Sequence, residues 1–68
     1  MVSVFVLDRE LSLGERVRIT RLVKGWRQID VAAVARCSPS DVSLLERGIP
    51  ISDGVKARIF NALGITEG

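Results

Sequence analysis

The sequence predicts an all-α fold, a bundle of four to five short helices led by a short N-terminal β-strand arm. Three observations carry that expectation. Serine starts and glycine stops recur at helix-length intervals from Ser12 onward, apolar residues between them fall at helical spacing, and the β-branched run of the chain is confined to residues 2–7.

Residues 2–7, "VSVFVL", are β-branched or bulky with no breaker, which favours a strand. No second strand-like run follows, so the backbone of this one has no partner within its own chain. It must lie as an extended arm or pair with another chain. Antiparallel pairing of two copies through Val2, Val4, Phe5 and Val6 would satisfy both edges and make a homodimer. The expected division is therefore residues 1–11 as the strand arm and residues 12–66 as the helical domain.

In "SLGE", Ser12 and Glu15 have the spacing of a capping box, which starts a first helix running to about Lys24, with Gly25 as its stop. "RQIDVAAVAR" gives a second helix with Val31, Ala32 and Ala35 on one face, residues small enough for a neighbouring helix to come close. The third starts at Ser38 as N-cap, has Pro39 at the first helical position and Asp41 as the cap's partner, and ends at Gly48. Past "GIPIS", Ser52 caps a fourth helix that gathers Val55, Ile59, Ala62 and Leu63 on one face, and Gly64 with Ile65 suits a Schellman ending.

A chain of 68 residues makes one domain, and a core of that size rarely supplies more than about 3 to 5 kcal/mol without a disulfide, a metal or a partner chain. Cys37 is the sole cysteine and there is no histidine, so neither an internal disulfide nor a zinc site is expected, and association with another copy gains weight. The apolar start "MVSVFVLD" lacks a preceding basic region and is too short to span a bilayer. The expected location is cytoplasmic, on the nucleoid, with no membrane partner. With no histidine or tyrosine to act as base, catalysis is not expected, nor any cofactor.

Net charge is only +2, but Arg16 to Arg36 holds six cations against one acid, while the rest of the chain carries four cations and seven acids. That asymmetry points to an anionic partner for one segment, with a solvated helix face as the blander alternative. Two short helices joined by a tight turn form a helix-turn-helix unit, whose second helix enters the major groove of DNA. With Val42 as the inward reference and 100° per residue, Ser40, Ser43, Leu44 and Arg47 fall at about 160°, 100°, 200° and 140°. Those residues share the outward face. Val42, Leu45 and Glu46 turn inward or to the flank.

The stretch "GERVRITRLVKGWRQIDVAAVARCSPSDVSLLERG" resembles the Cro/C1-type, or XRE, helix-turn-helix domain of the lambda-repressor-like fold. The residues that carry the resemblance are Gly25-Trp26-Arg27-Gln28, Val31-Ala32, Val42-Ser43 and Leu45-Glu46-Arg47-Gly48; it runs without a gap over about residues 13–65, with the motif itself at about 28–47. The resemblance implies a lambda-repressor-like bundle that binds double-stranded DNA, with Gln28 gripping a phosphate and Pro39, Ser40, Asp41, Ser43 and Leu44 reaching the groove. Arg47 joins them from the outward face.

Three departures stand out. Arg36 occupies the turn position that is most often glycine in the family, so either it takes a left-handed conformation at about 1 kcal/mol or more, or the turn has another shape. A phosphate contact is the expected gain. Arg27 replaces a small hydroxyl residue and adds charge beside Gln28; Thr20 replaces a core leucine, while Ile19, Leu22 and Val23 fall on the opposite side with Trp26.

Taken together, Arg27, Gln28 and Arg36 are expected to hold phosphates while Pro39, Ser40, Asp41, Ser43, Leu44 and Arg47 meet the groove, Asp41 chiefly as a cap. Leu44 would touch a thymine methyl or another protein. Cys37 and Trp26 are expected in the core. The function anticipated is a transcriptional regulator, a small phage or bacterial repressor that binds a palindromic operator as a homodimer. The alternative is a protein-interaction module, an antitoxin or adaptor, whose warrant is apolar Ile19, Leu22, Val23, Ile29 and Leu44 at positions expected to be exposed.

Overall fold

The computed structural model describes residues 11–66, which form four helices: α1 Leu13–Val23, α2 Gln28–Ala35, α3 Pro39–Glu46 and α4 Asp53–Leu63. No strand occurs among the described residues. The expected strand, and with it the pairing through Val2, Val4, Phe5 and Val6, lies outside them.

The helix starts follow the serines. Ser12 Oγ accepts from the Glu15 N–H at 3.1 Å while Glu15 Oε1 accepts from the Ser12 N–H at 2.9 Å, and Ser38 and Asp41 exchange the same pair at 3.2 Å each. Ser52 Oγ accepts from the Val55 N–H at 3.3 Å. Each cap satisfies amides that a helix cannot satisfy for itself. At the head of α2 only half of such a box forms: Asp30 accepts from the Arg27 N–H at 2.8 Å, but a guanidinium has no acceptor to return the bond.

All four helices end in the same way. The residue after the last turn is left-handed (Gly25, Arg36, Gly48 and Gly64, at φ between 60° and 80°), and the next amide reaches back to a carbonyl five residues earlier. These bonds run from Trp26 to Arg21, Cys37 to Ala32, Ile49 to Leu44 and Ile65 to Phe60, at 2.9 to 3.0 Å. This is the Schellman closure, and in each case the residue that makes the long bond is apolar.

The core joins Val17 of α1, Val31, Ala32 and Ala35 of α2, Val42 and Leu45 of α3, and Ile59, Phe60 and Leu63 of α4. Trp26 and Cys37 pack against it half-buried, as partial core rather than full core. α2 lies mainly on α4 and α3, and α1 crosses onto α3. Gly14 permits that crossing: a β-carbon there would lie 2.7 Å from the Glu46 carbonyl oxygen and closer still to that of Leu45.

Candidate nucleic-acid interface

α2 and α3 are joined by Arg36, Cys37 and Ser38. Arg36 takes φ 60° and ψ 50°, and it is the single non-glycine residue with positive φ among those described. Arg58 of α4 explains how the turn holds its shape without glycine. Its Nε donates to the Ala35 carbonyl at 3.0 Å and its Nη2 to the Arg36 carbonyl at 3.4 Å, so the left-handed residue is gripped from both sides. Nothing in the local sequence marks Arg58 for this task, because its acceptors lie 22 and 23 residues away.

On α3, Val42 and Leu45 are buried, while Pro39, Ser40 and Arg47 are exposed and Ser43 is half-exposed. Asp41 is half-buried and spends its carboxylate on the Ser38 amide. Leu44, like Ser43, is partly exposed, and it is not among the largely exposed apolar residues. The Ile49 amide closes the end of α3 by bonding to the Leu44 carbonyl at 2.9 Å.

Behind the outward face of α3 lies a polar network. Arg21 of α1 reaches Glu46 with two nitrogens, Nε to Oε2 at 2.7 Å and Nη2 to Oε1 at 3.1 Å, and its Nη1 donates to the Trp26 carbonyl at 3.0 Å. Gln28 Nε2 adds a bond to Glu46 Oε1 at 3.2 Å. Only 10% of the Arg21 side chain and 4% of that of Glu46 remain accessible, so the two charges cancel out of water. Such a pair is tolerable because each guanidinium nitrogen and each carboxylate oxygen has a partner, and among the described residues no buried side-chain polar atom lacks one. Arg21 therefore drops out of the cation run expected to face an anionic partner. Arg16, Arg18, Lys24, Arg27 and Arg36 remain exposed.

At the head of α2, the Arg27 side chain is 80% exposed and rests 3.4 Å from Asp30 Oδ2. The Arg27 backbone amide, and then the guanidinium, hold the Asp30 carboxyl below its ordinary pKa. The Gln28 and Ile29 amides have no acceptor among the described residues. Gln28 keeps its amide oxygen and a second N–H beyond the bond to Glu46. Uncovered amides at the positive end of a helix dipole, beside an exposed guanidinium, suit a phosphate oxygen.

Comparison of the chain with protein-family models, with curated proteins and with solved structures finds no match. Function is therefore argued from this chain's own residues.

Burial first, and then the Asp41 charge, raise the Cys37 thiol above its ordinary pKa against the opposing pull of Arg58. It stays protonated near neutrality. Among the described residues no group of His, Cys, Asp and Glu is placed to hold a metal, and no helix is long and apolar enough to cross a membrane. Among the described residues the exposed large apolar ones are Leu13, Ile19, Leu22 and Val23 on α1, Ile29 and Val34 on α2, and Ile49 beyond α3. The sequence pointed to Ile19, Leu22, Val23 and Ile29; Leu13, Val34 and Ile49 were not foreseen.

Proposed function

We propose that this protein is a sequence-specific, double-stranded DNA-binding transcriptional regulator of the Cro/C1 type, acting as a dimer. The observation that carries the reading is the α2–turn–α3 unit. It joins an uncovered, cationic helix start at Arg27 and Gln28 to a small polar outer face at Ser40, Ser43 and Arg47. α3 enters the major groove, where the serines and Arg47 meet base edges, with Pro39 and Asp41 at its leading end. Arg27, Gln28 and Arg36 take phosphates. The low count of cations on α3 suits this division, since phosphate contacts position a protein and base contacts specify the site. Leu44, partly exposed like Ser43, can offer its methyls to a thymine methyl.

A domain this small makes few base contacts, so specificity comes from two copies on half-sites about 34 Å apart, joined through residues 2–7. Selection from a random duplex pool tests the whole reading. An enriched palindrome is expected, with Arg27→Ala and Gln28→Ala weakening all sequences alike, and Ser40→Ala and Arg47→Ala altering which sequences win. A second reading, a protein-interaction module, is favoured by Ile29 and Val34, which stand exposed on α2. A pool that yields no enrichment at low salt would favour it.

A further inference from the structure

The outer face of α1 is apolar where a helix on the surface of a monomer would be polar. Gly14, Val17 and Arg21 turn toward the bundle, yet Ile19, Leu22 and Val23, on the opposite side, are 44%, 52% and 82% exposed. Their spacing of three and four residues makes one stripe, and the exposed Arg16 and Arg18 flank it. α1 thus has two apolar faces and the described residues cover one.

The chain itself carries a segment suited to the other. Residues 2–7 supply Val2, Val4, Phe5, Val6 and Leu7, tied to the start of this same helix by residues 8–11. Extended at about 3.3 Å per residue, the five steps from Val2 to Leu7 span about 16 Å, and α1 rises about 16 Å from Ser12 to Val23. The lengths match. A return onto its own helix would need residues 8–11, Asp8-Arg9-Glu10-Leu11, to reverse the chain, and they contain neither glycine nor proline. The strand expected over residues 2–7 would find no edge to pair with among the described residues, which favours another chain as well.

We propose that the outer face of α1, made by Ile19, Leu22 and Val23, is an interface for a second copy of this protein, whose residues 2–7 lie across it. Each copy contributes one strand and receives one, and the two strands pair at the two-fold axis. This rests on the strand pairing of the functional reading above, and on nothing in its DNA contacts.

Sedimentation at about 50 µM and mixed-chain cross-linking test it together. The full chain is expected at twice its chain mass. Val23→Lys and Phe5→Asp are each expected to give monomers with unchanged helical circular dichroism, while Val34→Lys, on α2, stays dimeric. A monomeric full chain, or a Val23→Lys protein that remains dimeric, overturns the proposal. In a Cys37→Ser background, Val4→Cys chains mixed with Val23→Cys chains are expected to form the hetero-disulfide under mild oxidation. A disulfide closing within single, monomeric chains of the Val4→Cys/Val23→Cys double variant would assign the covering to the chain's own segment and overturn the exchange. A dimer that passes these tests but ignores duplex DNA refutes the DNA reading and leaves the interface standing; a monomer that selects a DNA sequence does the reverse.

Discussion

At Arg36 a long side chain occupies a backbone conformation that favours glycine, and the cost is about 1 kcal/mol. Arg36→Gly is therefore expected to stabilise the protein by about that much, read as a higher urea midpoint, while weakening duplex binding if the guanidinium meets a phosphate. The two readouts moving in opposite directions would mark the arginine as kept for binding. Arg58→Ala removes both bonds that grip the turn and should destabilise by about 1 kcal/mol. Gly14 is the opposite case, where a small residue is needed for space rather than for its dihedral angles. A methyl group there meets the carbonyls of Leu45 and Glu46, which belong to the last turn of α3 and cannot swing aside. Gly14→Ala is expected to cost about 2 kcal/mol, a fall of roughly 10 °C in the thermal midpoint.

Three of the four helices begin with a carboxylate that accepts an amide bond, Glu15, Asp30 and Asp41. The Ser12 amide and hydroxyl lower the pKa of Glu15, and the Arg27 amide, then its guanidinium, lower that of Asp30. A carboxyl whose folded pKa is depressed stabilises the fold above its unfolded pKa and loses that contribution as pH falls through the folded value. Stability should therefore be flat above about pH 5 and decline below about pH 4. Urea midpoints at pH 3 and pH 6 should lie closer together in Glu15→Gln than in the parent. The Arg21–Glu46 pair ties α1 to α3, and breaking it from one side leaves a buried charge. Glu46→Ala should cost about 3 kcal/mol, and Arg21→Met with Glu46→Leu markedly less, measured by thermal melts of all three. These elements also show why part of the molecule was legible in its sequence and part was not. Caps and stops depend on residues within six positions of one another, so Ser12, Ser38, Ser52, Gly25, Gly48 and Gly64 announce themselves, as does the inward face of α2; on α4 Ile59 and Leu63 are buried as expected, but the expected face left out the buried Phe60. Arg21 does not: one arginine in a run of cations looks the same whether it faces water or Glu46, 25 residues on. Gln28 carried the phosphate role that the resemblance implies but no signal for its bond to Glu46, 18 residues on.

For the whole molecule, charge and assembly set what is measurable. If Arg27 and Arg36 each neutralise one phosphate in each of two copies, log affinity should fall with log salt at a slope of about −4, and Arg36→Gly should remove about 2 from that slope. Binding that ignores salt would contradict both assignments. Four Schellman closures and serine caps have a further consequence, for kinetics. Apart from the end of α2, which Arg58 also holds, each helix boundary is decided by groups no more than five residues apart, so little of the structure waits on the closing of long loops. Relaxation of the helical domain after a temperature jump, followed through Trp26, should fall between microseconds and milliseconds. Folding is then over long before two copies meet at cellular concentrations. If the proposed dimer is the active form, encounter is its slow step, and the quantity that governs it is how many copies the cell has made.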